Sequence, residues 1–183
     1  IGSIALENVA TEAEGLIAVG AATFSDTKLE FTGPQNKSFV IDIPKASAED
    51  WYVAVLGANP TPLQVFRGSM GIAKKMTSGE IKITAEGQTF TAKGIESAWS
   101  GDPVTGAGKT TMSFNDLVIP ESAIALLDPA GQLKALGYSG LTLNAGGEGE
   151  FTVTGESFGM SGTINIASKD MAGLTFSYGA SDI

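Results

Sequence analysis

The chain of 183 residues contains no cysteine, no histidine and a single arginine, Arg67. Without cysteine there is no disulfide framework, no thiolate zinc site and no thiol nucleophile. Without histidine the usual general base, the imidazole metal ligand and the Ser-His-Asp triad are missing as well. Catalysis would have to rest on carboxylates, lysine or tyrosine alone. We therefore expect a protein that is not an enzyme and that carries neither a cofactor nor a metal site.

Positive charge and long apolar runs are also scarce. The chain has 20 acidic against 11 basic residues, so a nucleic acid would meet repulsion instead of counterion release. Lys74-Lys75 is the only adjacent basic pair, which disfavours docking on anionic lipid through a polybasic patch. The apolar run Val53–Leu56 is far shorter than the ~20 residues a membrane helix needs. The sequence predicts no nucleic-acid partner and no transmembrane segment, and it leaves hydrophobic contact with lipid open.

Glycine, in contrast, is abundant, with 24 residues and no three-residue period, which is typical of short strands joined by tight turns. Apolar residues alternate with polar or small ones in many short segments, as in strands with one buried face. The connections after residue 140 are too short for crossover helices, so the closing stretch predicts an antiparallel meander. The predicted strands include Leu29–Phe31, Thr89–Ile95, Leu141–Leu143, Phe151–Val153, Met160–Ile166 and Leu174–Tyr178.

Short patterns recur along the chain. The form Gly-x-Ile-x-Leu/Ile occurs at Gly2–Leu6, Gly79–Ile83 and Gly162–Ile166. Two further segments, Ser38–Pro44 and Ser113–Pro120, each predict a strand stopped by proline and followed by a helix-like stretch. The recurrence indicates either a duplicated unit, with units 1–78 and 79–183 in one continuous domain, or a chance repeat of short patterns.

Helices are predicted after both prolines. Ser47 can cap a helix that ends at Gly57, with Glu49 and Asp50 complementing its N-terminal dipole. A second helix restarts at Pro62 and places apolar residues at spacings of three and four, namely Leu63, Phe66, Met70, Ala73 and Met76.

The later unit predicts a short helix over 121–127, interrupted at Asp128-Pro129, and a further turn through Leu133 and Leu136 to Gly137. Taken together, these patterns predict a mainly β fold of the α+β class. Its core is a curved antiparallel sheet, a meander with or without duplication, and short helices cover one face.

Two motifs suggest chemistry that their context does not support. Thr105–Thr110 ends like a phosphate-binding loop, but Pro103 replaces the required first glycine and the flanks predict strands, so we expect a hairpin loop. Glu148 and Glu150 flank Gly149, with Glu156 nearby, yet no calcium-loop spacing occurs and a strand would place such glutamates in solvent.

The stretch from Phe114 to Ser177 resembles the repeated periplasmic β-modules of proteobacterial proteins, including the AsmA-like and related uncharacterised families. The resemblance rests on three segments: the strand ending Leu117–Pro120, the stretch Leu136–Leu143 with its Leu-Gly-Tyr turn, and Lys169–Phe176 with its charged residue, methionine and glycine. It implies a periplasmic, long curved sheet associated with lipid handling in the cell envelope, and it carries no catalytic signature.

We therefore expect a periplasmic or extracellular, non-enzymatic module that offers a lipid-contacting or scaffold surface, with a lipid or an envelope protein as its partner. The alternative is a structural or adhesive β-domain that acts through sheet edges. An apolar groove between helix and sheet, with plain core packing as the other interpretation, is predicted at Trp51, Leu63, Phe66, Met70, Ile124, Leu127 and Leu133.

Overall fold

The computed structural model describes residues 2–11, 15–32, 38–55, 58–60, 65, 72–128, 130–155, 157–168, 171 and 173–181. Its main elements are eleven strands and two short helices. The strands are β1 (Ser3–Thr11), β2 (Leu16–Thr32), β3 (Ser38–Ala54), β4 (Ile72–Ser78), β5 (Ile81–Ala85), β6 (Gln88–Ala92), β7 (Gly94–Gly101), β8 (Gly108–Ile119), β9 (Leu141–Thr154), β10 (Ser157–Ser168) and β11 (Leu174–Ala180). The helices are α1 (Glu121–Leu127) and α2 (Gln132–Ala135).

All eleven strands belong to one antiparallel sheet. The main path runs β1-β2-β3-β4-β7-β8-β9-β10-β11, so β4 is followed along the sheet by β7. The two strands between them in sequence form a side branch, in which β5 pairs with β3 and β6 pairs with β5 and β8. The mainly β, antiparallel fold class with short helices is confirmed, and so is the meander after residue 140.

The helix predicted from Ser47 to Gly57 is wrong, because 47–54 is the second half of β3. Ser47 does not cap a helix; its hydroxyl lies 2.8 Å from that of Thr77 on β4. Nor does Pro44 stop the strand, since β3 runs through it, with Lys45 paired to Ser25 and Ile43 to Thr27. The helix after Pro44 was one feature shared by the two predicted units, so the duplication now rests on strand patterns alone and stays a prediction.

The end of the second predicted helix is also strand. Ala73 and Met76 lie on β4, where Ala73 pairs with Trp51 and Met76 with Ala48. Most of the predicted helix lies outside the described residues, including Leu63, Phe66 and Met70.

A line of irregular residues across the first strands explains the helix-like spacing. Asn8 and Asp50 have left-handed backbone, with φ of 55° and 45°, and the pairing of β1, β2 and β3 skips them and Gly20 between them. The register is the same on both sides of this line, so no residue is inserted and only the alternation of side chains is interrupted. Ala48 and Trp51 therefore contribute to the same core cluster although they are three residues apart. A spacing of three in this strand imitates the period of a helix.

The helices after β8 are confirmed. Proline at position 120 ends β8, and α1 begins at the next residue. The Asp128 carboxylate accepts hydrogen bonds from the backbone N–H groups of Gln132, at 2.9 Å, and Leu133, at 2.6 Å, which stabilises the start of α2. Within the described part of the chain, neither helix is long and apolar enough to cross a membrane.

Candidate functional site: the apolar face of the sheet

One row of residues crosses the sheet from edge to edge. Residues directly opposite each other on paired strands point to the same face, so a row can be followed from strand to strand through the register. Eight of its nine members are apolar or glycine, and Ser97 is the exception. In order from β1 to β11 the row is Leu6, Ala22, Ala48, Met76, Ser97, Met112, Gly147, Ile164 and Phe176.

The row next to it points to the opposite face and has a different character. Only two of its members, both alanines, are apolar, and the others carry hydroxyl or charged groups. In the same order it consists of Glu7, Ala21, Glu49, Lys75, Ala98, Thr111, Glu148, Thr163 and Ser177. At these two rows the sheet is therefore apolar on one face and polar on the other across its whole width.

Near the first strands the apolar face is a packed core. Ala22 and Ala48 are buried together with Val19 and Ala73, and Ile17, Phe24 and Trp51 pack against them. The rings of Phe24 and Trp51 meet edge to face, with centroids 5.7 Å apart. Two aromatic rings thus close over small residues, which leaves little room for a ligand at this place.

The helices cover another part of the same face. Leu141 and Leu143 alternate in phase with Gly147 along β9, so they lie on the apolar face. They pack, with Phe90, Leu117 and Leu133, against a buried cluster formed by Ile119, Ala123 and Ile124. The end of β8, the start of β9 and both helices form a second small core.

Between these cores and the β11 edge the apolar face is open. Met112 is 54% exposed, Ile164 is 40% exposed and Phe176 is 53% exposed, and all three belong to the row that crosses the sheet. Leu174 and Tyr178 extend this surface along β11, since they alternate with Phe176. We call these five residues the open apolar surface.

Glycines form part of the floor of this surface. Gly147 lies between Met112 and Ile164 in the row. In the next row along the same face, Gly149 pairs with Gly162, and the Tyr178 hydroxyl lies above both: a Cβ added to Gly162 would come within 2.8 Å of it, and one added to Gly149 within 3.2 Å. The Tyr178 side chain therefore covers Gly149 and Gly162, and Gly147 is the glycine of this floor that lies among the exposed residues of the row.

Trp99 lies on the apolar face of β7, two residues from Ser97 and opposite Thr110. Its indole reaches over the hairpin end, where a Cβ at Gly108 would come within 2.8 Å of the indole nitrogen. That buried nitrogen has no hydrogen-bond acceptor among the described residues.

The structure divides the predicted groove residues among different places. Trp51 belongs to the core on β2–β4, while Ile124 and Leu133 belong to the core under the helices. Leu127 is the last residue of α1. Leu63, Phe66 and Met70 lie outside the described residues. Core packing, the other interpretation of these residues, describes Trp51, Ile124 and Leu133.

The exposed residues of the open apolar surface were not singled out from the sequence. Each has a signal, because the alternation in 108–114, 157–168 and 174–180 separates apolar from polar residues strand by strand. That alternation identifies one face of each strand, but the register that joins Met112, Ile164 and Phe176 into one row comes only from the structure.

The phosphate-loop-like segment and the glutamates around Gly149 lie in an ordinary hairpin loop and on an ordinary strand. The loop after β7 is a hairpin connection to β8, in which Asp102 accepts hydrogen bonds from the backbone N–H of Val104 and the hydroxyl of Thr105, both at 2.9 Å. Glu148 and Glu150 are exposed on the polar face of β9, opposite Thr111 and Lys109. The described residues include no group of three or more His, Cys, Asp or Glu side chains that could hold a metal ion.

Perturbed ionisable groups lie away from the open apolar surface. The Lys28 ammonium and the Glu30 carboxylate are 2.8 Å apart on β2. Their hydrogen bond and mutual attraction raise the pKa of Lys28 and lower the pKa of Glu30. Both groups are exposed, so the pair is an ordinary surface ion pair with little effect on stability.

Comparisons with family models, curated proteins and solved structures found no match to this chain. The resemblance to periplasmic β-modules therefore stays a prediction, and a functional conclusion has to rest on the two-faced sheet.

Proposed function

We propose that this protein is a non-enzymatic module of the cell envelope whose apolar sheet face contacts the acyl chains of lipids. The observation that carries the proposal is the row that crosses the sheet, apolar on one face and matched by a polar row on the other. An antiparallel sheet can bury one face and hydrate the other, yet Met112, Ile164 and Phe176 on the apolar face are exposed. A connected apolar surface of this kind marks an interaction site more often than scattered apolar residues do.

The shape of the open apolar surface favours a flexible apolar chain as its occupant. Met112 and Ile164 stand on either side of Gly147, so the row has a low point between two side chains. Methionine adapts to irregular apolar partners, and glycine allows close approach to the backbone. The five residues of the surface carry no formal charge, and Tyr178 contributes its one polar group. A hydrocarbon chain has no hydrogen bonds to satisfy there, which fits such a lining.

The predicted periplasmic or extracellular location belongs to the same proposal. It rests on the resemblance of 114–177 to envelope β-modules, which itself associates such sheets with lipid handling. The scaffold role is the weaker form of the proposal, in which the same apolar face contacts an envelope protein.

The test is native mass spectrometry after incubation of the purified protein with palmitoyl-oleoyl phosphatidylethanolamine. We expect a lipid-bound species that is lost in Met112→Asp and Ile164→Asp. The matched controls Thr111→Asp and Thr163→Asp carry the same new charge on the same strands, one residue away on the polar face, and should retain lipid. No bound species, or equal loss in both pairs of variants, would contradict the proposal. Binding of an envelope protein without lipid would support the scaffold form.

The alternative function, a structural or adhesive domain that acts through sheet edges, is favoured by a different observation. Every residue of β1 and of β11 is exposed, and these strands are the two ends of the main path. Edge strands offer unpaired backbone groups to other strands. The two functions are compatible, since one uses a face of the sheet and the other its borders.

A further inference from the structure

The two border strands differ in how well they could accept another strand. In the described part of the chain, β11 pairs with β10 alone and β1 with β2 alone. Proteins usually protect such edges with charge, proline or a bulge. On β1 two such features occur, the carboxylate of Glu7 and the left-handed residue Asn8 that interrupts the ladder.

The β11 edge has none of these protections. Its sequence, Leu-Thr-Phe-Ser-Tyr-Gly-Ala, contains neither a charged residue nor a proline, and none of its residues has a positive φ. Tyr178 leans over Gly162 and Gly149, toward the inside of the sheet and away from the edge. The backbone of β11 is therefore a regular, uncharged and uncovered template for another strand.

From this contrast we propose that β11 pairs antiparallel with β11 of a second copy, about a two-fold axis at Ser177. This register uses all seven residues of the strand and places Ser177 opposite Ser177 of the partner subunit. It also places Phe176 opposite the partner's Tyr178, so the apolar sides of the two β11 strands lie on the same face. Leu174 meets the partner's Ala180 in the same way.

Self-pairing of the other edge is unfavourable by the same reasoning. The equivalent register of β1, centred on its middle residue, would place Glu7 opposite the partner's Glu7, and like charges directly opposite each other destabilise a sheet. A pairing of β1 with β11 that keeps both apolar faces on one side would be parallel, because the main path has an odd number of antiparallel strands, and parallel pairing is slightly weaker. Of the three pairings, β11 with β11 of a second copy is the one that is antiparallel and brings no like charges together.

The proposed dimer extends the proposed function without depending on it. A two-fold axis perpendicular to the sheet keeps side chains on their own face, so the open apolar surfaces of the two copies would join at Phe176 and Tyr178. Because each chain carries a net charge of −9, salt should tighten the dimer by screening the repulsion between copies.

The first experiment is sedimentation velocity of the lipid-free protein over a concentration series. We expect a reversible monomer–dimer equilibrium with a dissociation constant in the micromolar range, as is typical of a small interface. Ser177→Lys places two ammonium groups opposite each other at the axis and should give a monomer. The control Ser161→Lys carries the same charge on the polar face of β10, one strand from the edge, and should still dimerise.

A second experiment tests the register and does not depend on a charged substitution. Since the chain has no cysteine, Ser177→Cys introduces a single thiol, and oxidation should link two copies across the axis. Thr175→Cys lies on the same face of the same strand, but its partner would be Gly179 of the second copy, so it should not form a disulfide.

The proposal is overturned if the protein sediments as a monomer at every concentration, if Ser177→Lys dimerises like the parent, or if both cysteine variants cross-link equally. Each of these results leaves the lipid proposal intact, because dimerisation is measured without lipid. If Ile164→Asp loses lipid binding and still dimerises, the dimer does not depend on lipid contact.

Discussion

Phe24 on β2 and Trp51 on β3 pack edge to face at an interplanar angle of 70°, above two alanines that are almost completely buried. The pair sits where the apolar face is closed, whereas Met112 and Ile164 lie where it is open. The same face of one sheet thus serves as a core over β2–β4 and as an exposed surface toward β11.

Replacing Trp51 with alanine should destabilise the fold. The indole covers Ala48 and Val19 and contacts Phe24, so its removal leaves a cavity in a core of small residues. We expect a loss of about 3 kcal/mol in the free energy of unfolding, measured by urea denaturation. Glu49→Ala, on the polar face of the same strand, is the control and should change stability by less than about 0.5 kcal/mol. A small effect of Trp51→Ala would mean that this part of the face is not a core.

The hydroxyls of Ser47 and Thr77 should be energetically coupled. In the structure they join β3 to β4 at 2.8 Å, whereas the helix predicted from the sequence would use Ser47 as a local cap. A double-mutant cycle of Ser47→Ala and Thr77→Ala should give a coupling free energy of about 1 kcal/mol. The pair Ser47→Ala and Thr84→Ala, in which the residues do not interact, should give none. Additive effects of Ser47→Ala and Thr77→Ala would mean that the two hydroxyls do not interact, which would contradict the pairing of β3 with β4 at this place.

Gly94 should not tolerate alanine. Its φ is 159°, and a Cβ at this position would lie 2.5 Å from the backbone oxygen of Ser78, on the neighbouring β4. Because the backbone would have to move, we expect Gly94→Ala to cost about 1–3 kcal/mol of the free energy of unfolding. Gly79→Ala is a matched control: its Cβ would meet the Lys45 oxygen at an ordinary 3.7 Å. Equal stability of the two variants would show that β4 and β7 are not as close as described.

The ion pair between Lys93 and Asp116 predicts a dependence of stability on pH. The hydrogen bond and the negative charge of Asp116, 2.5 Å away, raise the pKa of Lys93 above its ordinary value of 10.5. A raised pKa in the folded state means that the contribution is fully present below pH 10.5 and is lost as the pH rises through the raised value.

The measurement is the difference in Tm between the parent and Lys93→Gln. The difference should be small at neutral pH, since the pair is exposed, and should shrink in high salt. It should vanish well above the raised pKa. A difference that persists in strong alkali would indicate that Lys93 acts through packing and not through charge.

The sequence predicts the closing strands well because their alternation is uninterrupted. From Leu141 to Thr154 each apolar or glycine position alternates with a polar or glycine one, and the structure keeps this phase along the whole strand. The same reasoning fails at 47–54, where the left-handed backbone of Asp50 shifts the phase and three-residue spacing imitates a helix. A residue in an unusual conformation is not visible in a pattern that assumes regular strands.

The open apolar surface could be predicted only in part. Alternation identifies Met112, Ile164 and Phe176 as apolar-face residues of their own strands. The row that joins them to Met76 exists because β4 pairs with β7, although β5 and β6 lie between them in sequence. No local pattern in the sequence predicts that β4 and β7 are neighbours.

The most direct test of lipid contact is photo-cross-linking with palmitic acid that carries a diazirine in its acyl chain, followed by peptide mass spectrometry. If the open apolar surface contacts acyl chains, we expect labels that alternate along the strands, on Met112, Ile164 and Phe176, and not on Thr111, Thr163 or Ser177. Labels on the polar-face residues, or no labelling above that of a control protein, would contradict lipid contact.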